Sequence, residues 1–491
     1  MTTVPDPAPA WDGQSAALRS AYEMADLTFE QLWMRYFALG GNADLVEMEG
    51  HLAGLMPLPP AERDLLAHAV NERLDELFAQ RRVPYSRPIR SRRPLTGPLA
   101  ALLHLIDASH TAPPDRVGTL AAEAGRALGV QVTVHVVDHE QRRLWRLPTQ
   151  REPAEPADER LAVDGTLPGR VYQTVQMLPS ESGGVPRLWV PVIDGSDRLG
   201  VLEVGLNSPA ELHDPTLREQ CRWLADMLGY LITAMGKYGD ALERRRRTRP
   251  RSPAAELLWQ QLPPLTAASD AFMLAGWLEP AYEVGGDAFD YALSEETVSL
   301  AIFDAMGHGL GAGLLAAASL SAYRSARRDG GGIHDQARRI DDVVAGTFPG
   351  SAFATGVLAE LDVATGRLRY VNGGHPPPLL LREGKVVKEL SGGRRIPFGL
   401  GDGTPTVAEE SLQPGDWLTL YTDGVTEARD ASGAWFGEQR LVEFLTHQFA
   451  AGQPPPETAR RLMRAVLDHQ HGLLQDDASI LLARWARDAP R

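Results

Sequence analysis

The sequence Gly285-Gly286-Asp287-Ala288-Phe289-Asp290 and the stretch Asp304-Ala305-Met306-Gly307-His308-Gly309 decide the fold of the C-terminal half. The first lies between two segments of strand character. The second begins where the apolar run 298–303 ends, as expected for a buried strand followed by a loop. Asp287 and Asp304 are therefore predicted at strand ends, beside glycines that let the backbone pass close to a ligand.

The same arrangement recurs twice downstream. Asp423 follows the apolar run 417–421, within Thr422-Asp423-Gly424, and Asp476 and Asp477 directly precede the predicted strand 479–482. Several carboxylates at one sheet edge repel one another unless cations neutralise them. Aspartate oxygens without cysteine suit hard divalent ions such as Mg²⁺ or Mn²⁺, and two such ions can acidify water and neutralise a phosphoryl group. The pattern predicts a two-ion site for phosphoryl chemistry.

Composition limits the remaining choices. A chain of 491 residues is too long for one ordinary domain, and its net charge of −15 argues against a general nucleic-acid binder. Its single cysteine, Cys221, allows neither an intramolecular disulfide nor a cysteine-based zinc site, which favours a reducing compartment. The N-terminal residues do not resemble a signal peptide, and no run of 18 apolar residues occurs. We expect a cytoplasmic protein without membrane contact.

Four segments are expected from changes in pattern along the chain. They are a helical module of unknown role (1–94), a mixed helix and strand domain (95–212), linker helices (213–263) and the domain with the acidic positions (264–491). The overall class predicted is α+β multidomain.

The linker segment carries a heptad pattern. Apolar residues spaced by fours and threes are Leu217, Cys221, Leu224, Leu228, Leu231, Met235, Tyr238 and Leu242. This spacing predicts a homodimer through a coiled coil of the 217–242 helix, although a helix that packs on its own domain gives the same pattern. The arginine-rich run 244–251 that follows is interpreted as a solvated basic linker.

Residues from about 256 to 487 resemble the metal-dependent PPM (protein phosphatase 2C-like) phosphatases of the bacterial SpoIIE/RsbU type. Besides the four acidic stretches, the motifs that carry the resemblance are Glu256-Leu257-Leu258-Trp259-Gln260-Gln261-Leu262-Pro263-Pro264, Asn372-Gly373-Gly374-His375-Pro376-Pro377-Pro378 and Phe436-Gly437-Glu438. The resemblance implies an α/β sandwich of two mostly antiparallel sheets flanked by helices.

The resemblance also implies site residues. The ligands of two Mn²⁺ or Mg²⁺ ions fall on the catalytic aspartates and one backbone carbonyl, which are Asp287, Asp304, Ala305 (carbonyl), Asp423 and Asp476. Outer-shell groups would be Asp290, His308 and Asp477, and the choice between Asp476 and Asp477 as ligand rests on the family's order alone. The activity implied is hydrolysis of phosphoserine or phosphothreonine on a protein, typically a phosphorylated anti-sigma-factor antagonist, without a covalent phosphoenzyme.

The preceding domain resembles a GAF sensor domain. The resemblance rests on Gly165-Thr166-Leu167-Pro168-Gly169-Arg170-Val171, Leu188-Trp189-Val190-Pro191-Val192 and Gly200-Val201-Leu202-Glu203-Val204. It implies either a small-molecule ligand or a purely structural role, and with it control of the phosphatase by a sensor.

Three other functions are compatible with parts of the sequence. The Gly-Gly-Asp-Ala-Phe stretch is similar to the hairpin of diguanylate cyclases, but Ala288 replaces the glutamate. Gly307-x-Gly309-x-x-Ala312 is similar to a dinucleotide fingerprint, but a second predicted helix follows where that fold needs a strand. The third alternative is a catalytically silent, sensor-coupled scaffold that binds partner proteins.

Overall fold

The computed structural model describes residues 11–81, 96–149, 160–181, 184–279, 285–348, 350, 352–401, 406–472 and 474–486. The chain divides into two compact units, Met1–Arg93 and Pro94–Arg491. Within the second unit, we call residues 96–236 the central domain, 237–263 the connecting segment and 264–486 the C-terminal domain.

The first unit is helical, as predicted. Its helices are α1 (Trp11–Met24), α2 (Phe29–Ala38), α3 (Leu45–Leu52) and α4 (Pro60–Arg81). Thr28 and Asp44 begin α2 and α3 as capping boxes, each accepting a hydrogen bond from a backbone N–H three residues later. Leu32, Tyr36 and Leu66 lie in the small core that the helices share.

The central domain is built on one antiparallel sheet in the order β3-β2-β1-β6-β5-β4. The strands are β1 (Gln131–Val137), β2 (Arg143–Arg146), β3 (Arg160–Ala162), β4 (Leu178–Ser180), β5 (Arg187–Asp194) and β6 (Asp197–Gly205). The helices are α5 (Pro98–Ser109), α6 (Val117–Leu128), α7 (Leu167–Thr174) and α8 (Pro215–Gly236). α5, α6 and α8 cover one face of the sheet, and α7 packs on the other.

All the heptad residues except the exposed Tyr238 lie in the core of their own domain or pack against it. Cys221, Leu224, Leu228, Leu231 and Met235 are all buried against the central sheet and its helices. The expectation that these residues form a dimer seam through the 217–242 helix is therefore corrected, because the apolar stripe already has a partner within the chain. The outward face of α8 carries the exposed Trp223 and Tyr230, and it is the face that a second copy could reach.

The arginine run is not a solvated linker. It begins in α9 (Ala241–Arg246), where Arg245 and Arg246 donate from Nε to backbone carbonyls of the central sheet. Arg247 pairs with Glu243 and with Glu256 of α10 (Pro253–Gln261). The run therefore fastens the connecting segment to the central domain. Composition could not reveal this, because the strand carbonyls that it contacts lie 99 and 109 positions away.

The C-terminal domain contains two six-stranded sheets. The first has the order β15-β12-β11-β10-β9 with β16 paired to β12, and the second has the order β14-β13-β17-β18-β8-β7. The strands are β7 (Thr266–Ser269), β8 (Phe272–Glu279), β9 (Asp287–Leu293), β10 (Thr297–Ala305), β11 (Ala354–Asp362), β12 (Arg367–Gly373), β13 (Leu379–Arg382), β14 (Lys385–Glu389), β15 (Arg394–Arg395), β16 (Ala408–Ser411), β17 (Trp417–Tyr421) and β18 (Ala478–Trp485). All pairings are antiparallel except the short β12–β15 pair.

Helices cover both outer faces of the stacked sheets, which confirms the predicted α/β sandwich. They are α11 (Gly309–Arg328), α12 (Ile333–Thr347), the single turn α13 (Asp423–Thr426), α14 (Gly437–Ala450) and α15 (Pro455–His469). α11 and α12 pack on the first sheet, and α14 and α15 pack on the second. Among the helices in the described ranges, none is both long and apolar enough to cross a membrane.

The burial of the heptad residues gives a direct prediction. Leu228→Ala should lower the free energy of opening the central domain by about 2–5 kcal/mol, because it leaves a cavity in that core. The slowest-exchanging amides of β5 report this opening by hydrogen exchange. Tyr230→Ala, on the exposed face of the same helix, should change it by no more than about 0.5 kcal/mol. If Leu228→Ala leaves the β5 protection unchanged but alters the sedimentation coefficient, the result would instead support a homodimer formed through the 217–242 helix.

Candidate metal centre

Asp287 and Asp304 lie side by side on neighbouring strands of the first sheet. They are paired positions of the antiparallel strands β9 and β10, so their side chains lie on the same face of the sheet. Phe289 shares that face and lies over Gly276 of β8, where a Cβ would meet its ring at 2.4 Å. Both carboxylates therefore point toward the second sheet, at the end of the sandwich.

The second sheet brings its acidic residues to the same end. Asp423 begins α13 directly after β17, and Asp476 and Asp477 precede β18, which pairs antiparallel with β17. The two loops touch, since a Cβ at Gly424 would lie 1.7 Å from the carbonyl oxygen of Asp477. Only glycine fits there, which explains why glycine follows Asp423 in this loop.

Hydrogen bonds join the two sheets around Asp287. Thr422 Oγ1 donates to Asp287 Oδ2 at 2.6 Å and accepts from the backbone N–H of Ser479 at 2.9 Å. The carboxylate of Asp477 accepts from the backbone N–H groups of Gly285 at 2.9 Å and of Asp287 at 3.3 Å. Asp477 thus holds the Gly-Gly-Asp loop. Sequence reasoning gave no role to Thr422, although it stands inside the Thr-Asp-Gly motif.

The carboxylates perturb one another electrostatically. Burial and the neighbouring Asp477 and Asp304 raise the pKa of Asp287 well above its ordinary value. Burial and then Asp423, Asp476 and Asp477 raise the pKa of Asp304 to about 7. Burial also raises the pKa of Asp423, with Glu427 and Asp476 adding to the effect. These shifts mean that the ionised forms repel in a poorly solvated place, which a cation would relieve.

This set of residues fits a hard divalent ion in its chemistry. The donors are carboxylate oxygens, and the backbone carbonyl of Ala305 lies against Gly286, where a Cβ would come within 2.0 Å of it. Among the described residues, no three acidic, histidine or cysteine side chains converge closely enough to hold an ion as they stand. The carboxylates are neighbours, and metal binding would have to draw them together.

Of the other two residues predicted beside the metal ligands, Asp290 is turned away from this cluster. Asp290 is on the opposite face of β9, where Arg324 and Arg327 pair with its carboxylate at 2.7 and 3.1 Å. It serves to join α11 to the sheet. His308 is exposed at the N-terminal end of α11 and makes no capping hydrogen bond with its side chain.

His375 is a structural residue of its turn. Its backbone N–H donates to Asn372 Oδ1 at 2.8 Å, and its Nδ1 lies 2.8 Å from Thr355 Oγ1. Burial lowers the pKa of the ring to about 3, so the imidazole is neutral. Thr355 is paired with Asp304 across β10 and β11, which places this turn beside the acidic cluster.

Residues 294–486 match the family model described as "Stage II sporulation protein E (SpoIIE)". The match includes Asp304, Asp423 and Asp476 and begins after Asp287. Protein IcfG of Synechocystis is 28% identical over 233 residues, 42% of this chain and 36% of the relative. The phosphoserine phosphatase RsbU of Bacillus subtilis is 26% identical over 212 residues, 42% of this chain and 61% of the relative. The chain thus spans less than two thirds of either relative.

Solved structures of similar proteins cover the same region. The SiaA-PP2C domain of Pseudomonas aeruginosa has 23% sequence identity and a TM-score of 0.41, covering 51% of this chain and 98% of that chain. The PP2C phosphatase domain of SpoIIE from Bacillus subtilis, solved with a fragment of its regulatory domain, has 17% identity and a TM-score of 0.37. That match covers 44% of this chain and 64% of the other.

The close approach at Gly424 predicts the effect of a single methyl group. Gly424→Ala should push the loop before β18 away from Asp423 and weaken Mn²⁺ binding by at least about tenfold, measured by isothermal titration. Gly311→Ala is the matched control, because a Cβ in α11 there meets nothing within 4 Å. Equal Mn²⁺ affinity in both variants would show that the loop contact does not shape the site.

The buried His375 predicts a pH dependence of stability. The unfolded chain takes up a proton near pH 6.5, whereas the folded chain resists it down to about pH 3. His375 thus contributes stability above pH 6.5 that is lost as the pH falls toward 3, by at most about 1.4 kcal/mol per pH unit. The carboxylates with raised pKa stabilise the folded chain as the pH falls, which opposes the effect of His375. The contribution of His375 is therefore measured as the difference between the wild type and a variant without the imidazole.

Urea unfolding without divalent ions, at pH 7 and pH 5, measures this contribution. The wild type should lose more stability between these pH values than His375→Gln, which lacks the titrating ring. Equal losses in the two proteins would mean that His375 is protonated in the folded state.

Proposed function

We propose that this protein, whose C-terminal domain belongs to the SpoIIE family of PPM phosphatases, is a metal-dependent protein serine/threonine phosphatase. The observation that carries the proposal is the carboxylate cluster at the shared end of the two sheets. Burial and neighbouring carboxylates raise the pKa of Asp287, Asp304 and Asp423, and every member of the cluster except Asp287 lies within the region that matches the family model. Bound cations would relieve the repulsion between these carboxylates and would make the cluster suited to phosphoryl chemistry.

The proposed ligands of two Mn²⁺ or Mg²⁺ ions are Asp287, Asp304, Asp423, Asp476 and the carbonyl of Ala305. Asp476 is preferred to Asp477 because both oxygens of Asp477 are engaged by the N–H groups of Gly285 and Asp287. Bound ions would supply an acidified water and charge neutralisation for the phosphoryl group.

The chain's own residues fix where that chemistry would occur. Thr422 orients the Asp287 carboxylate by donating a hydrogen bond, and Asp477 holds the loop that precedes it. The single cysteine, Cys221, is buried in the central domain and cannot serve as a nucleophile. This excludes a phosphocysteine intermediate, and we propose direct attack by water on phosphorus without a covalent phosphoenzyme of any kind.

We propose that the substrate is a phosphoserine or phosphothreonine on a regulatory protein. A phosphorylated anti-sigma-factor antagonist is the first such protein to test. Two similar proteins of Bacillus subtilis, RsbU and RsbP, are named phosphoserine phosphatases. Partner switching in transcription is the setting that the resemblance implies for this chain.

The central domain is proposed to act as a GAF-like sensor that controls the phosphatase. A cavity of about 350 Å³ lies where it meets the connecting segment and the C-terminal domain. Asp197 and Arg198 line it from the central sheet, and Trp259 and Leu262 line it from the other side. A small molecule bound there would touch both domains. The alternative function is a catalytically silent scaffold that binds partner proteins. It differs from the phosphatase in showing no hydrolysis of a phosphorylated substrate.

Asp304→Asn and Asp423→Ala test the proposed activity. Each should lower Mn²⁺-dependent hydrolysis of p-nitrophenyl phosphate or a phosphoserine peptide by more than about 100-fold, because each removes a ligand. Neither should unfold the protein, since each relieves repulsion between carboxylates. EDTA should abolish the wild-type activity.

The control is Asp329→Asn, a change of an exposed aspartate at the end of α11 that should leave the rate unchanged. Full activity in Asp304→Asn or Asp423→Ala would refute the assignment of the ligands. A wild type that shows no turnover with either metal or with a phosphorylated antagonist would favour the scaffold.

A further inference from the structure

Four charged side chains join the central domain to α15 of the C-terminal domain. Asp164 and Arg198 come from the central domain, and Glu457 and Arg460 come from α15; together they are called the ionic joint. The side chains of Glu457, Arg460 and Arg198 are 0%, 3% and 5% exposed. Such burial of charges is unusual at a contact between domains and requires that each charge be paired.

Each member of the joint has partners on both sides of the contact. Arg198 Nη1 donates to Glu457 Oε2 at 3.2 Å, and its Nη2 donates to the carbonyl of Pro456 at 3.1 Å. Arg460 donates to Asp164 at 2.8 and 3.3 Å. Arg460 also donates to both oxygens of Glu457, at 2.8 and 2.9 Å.

The pairing is complete only when the two domains are docked. Although burial raises the pKa of Glu457, the hydrogen bond from Arg460 and the charge of Arg198 bring it below its ordinary value. If the central domain withdrew, Arg198 and Asp164 would leave and α15 would keep an incomplete cluster. A partial withdrawal would leave charges unpaired while they are still shielded from water, which is costly, so the joint disfavours arrangements between docked and fully released.

On the central-domain side, the joint is continuous with the segment that resembles a sensor. Asp164 lies two residues before Thr166, which begins α7 by accepting a hydrogen bond from the N–H of Gly169. The guanidinium of Arg198 lies 4.7 Å from the ring centre of Tyr172, a fully buried residue of α7. A change at α7 would therefore move both members that the central domain contributes.

On the C-terminal side, the joint leads to the acidic cluster. α15 ends at His469, and residues 470–477 then connect it to β18, carrying Asp476 and Asp477. Met463 and Val466 of α15 pack in the same core as Ile480 of β18. A shift of α15 would therefore act on β18 and on Asp476 and Asp477, which directly precede it.

We propose that the ionic joint couples the central domain to the acidic cluster through α15 and residues 470–477, as a route separate from the connecting segment. Its effect on turnover rests on the proposed phosphatase function, but its effect on residues 470–477 does not. The two parts are measured separately, so failure of one can be told from failure of the other.

The test uses the full chain and the variant Asp164→Asn. Asp164 is the most exposed member of the joint, and its replacement leaves Arg460 paired with Glu457, so the fold should be kept. Hydrogen exchange of the amides at 470–477 should become at least roughly fivefold faster. Turnover of p-nitrophenyl phosphate with Mn²⁺ should change by at least roughly threefold, and Asp164→Glu should restore both values toward wild type.

Glu123→Gln is the matched control. Glu123 is an acidic residue of the central domain that contacts His104, Arg116 and Arg126 of the same domain and lies outside the joint. Its replacement should leave exchange at 470–477 and turnover within about twofold of wild type.

Two outcomes would overturn the proposal. Exchange at 470–477 that stays within about twofold of wild type in Asp164→Asn would show that the joint does not reach this loop. Faster exchange with unchanged turnover in an active enzyme would show that the loop moves without affecting the site. If the wild type has no turnover with any metal, the phosphatase proposal fails, and the exchange measurement alone decides on the joint.

Discussion

Repulsion between carboxylates at one end of the C-terminal sandwich is the constraint on which the rest of this structure depends. Asp287 and Asp304 come from one sheet, and Asp423, Asp476 and Asp477 come from loops of the other. Bringing them together opposes folding unless hydrogen bonds and cations compensate. The fold supplies the hydrogen bonds through Thr422 and the backbone of the Gly-Gly-Asp loop. Under the proposed function, bound divalent cations would compensate the remaining repulsion.

Much of this arrangement could be predicted from the sequence, because an apolar run that ends in an aspartate and a glycine-containing loop marks a strand end. The strand ends at Asp304 and Asp423 follow from such local patterns, and the structure has them. The sandwich of two sheets followed from the family resemblance. What each acid contacts does not follow. Asp290 stands three residues after Asp287, but strand alternation turns it to the opposite face, where it meets Arg324 of α11. The sequence also does not show which of Asp476 and Asp477 accepts hydrogen bonds from the Gly-Gly-Asp loop. In the structure it is Asp477.

The heptad stripe and the arginine run show a second limit of sequence reasoning. An apolar stripe at 3.5-residue spacing fits either another copy of the helix or the chain's own sheet, and here it packs on the sheet. Arg245 and Arg246 contact strand carbonyls that lie 99 and 109 positions away in the sequence. The ionic joint is of the same kind, since Arg198 and Glu457 are separated by 259 positions. Long-range charge pairing leaves no periodic signal along the chain.

Titration of the metal-free full chain with Mn²⁺, followed by electron paramagnetic resonance, tests the proposed metal centre most directly. We expect two tightly bound Mn²⁺ ions per chain whose signals show magnetic coupling, because the carboxylates of both sheets meet at one place. Asp304→Asn should lose the coupling. Weak, uncoupled binding that is the same in the wild type and in Asp304→Asn would contradict this expectation, because the acidic cluster would then not be a metal centre.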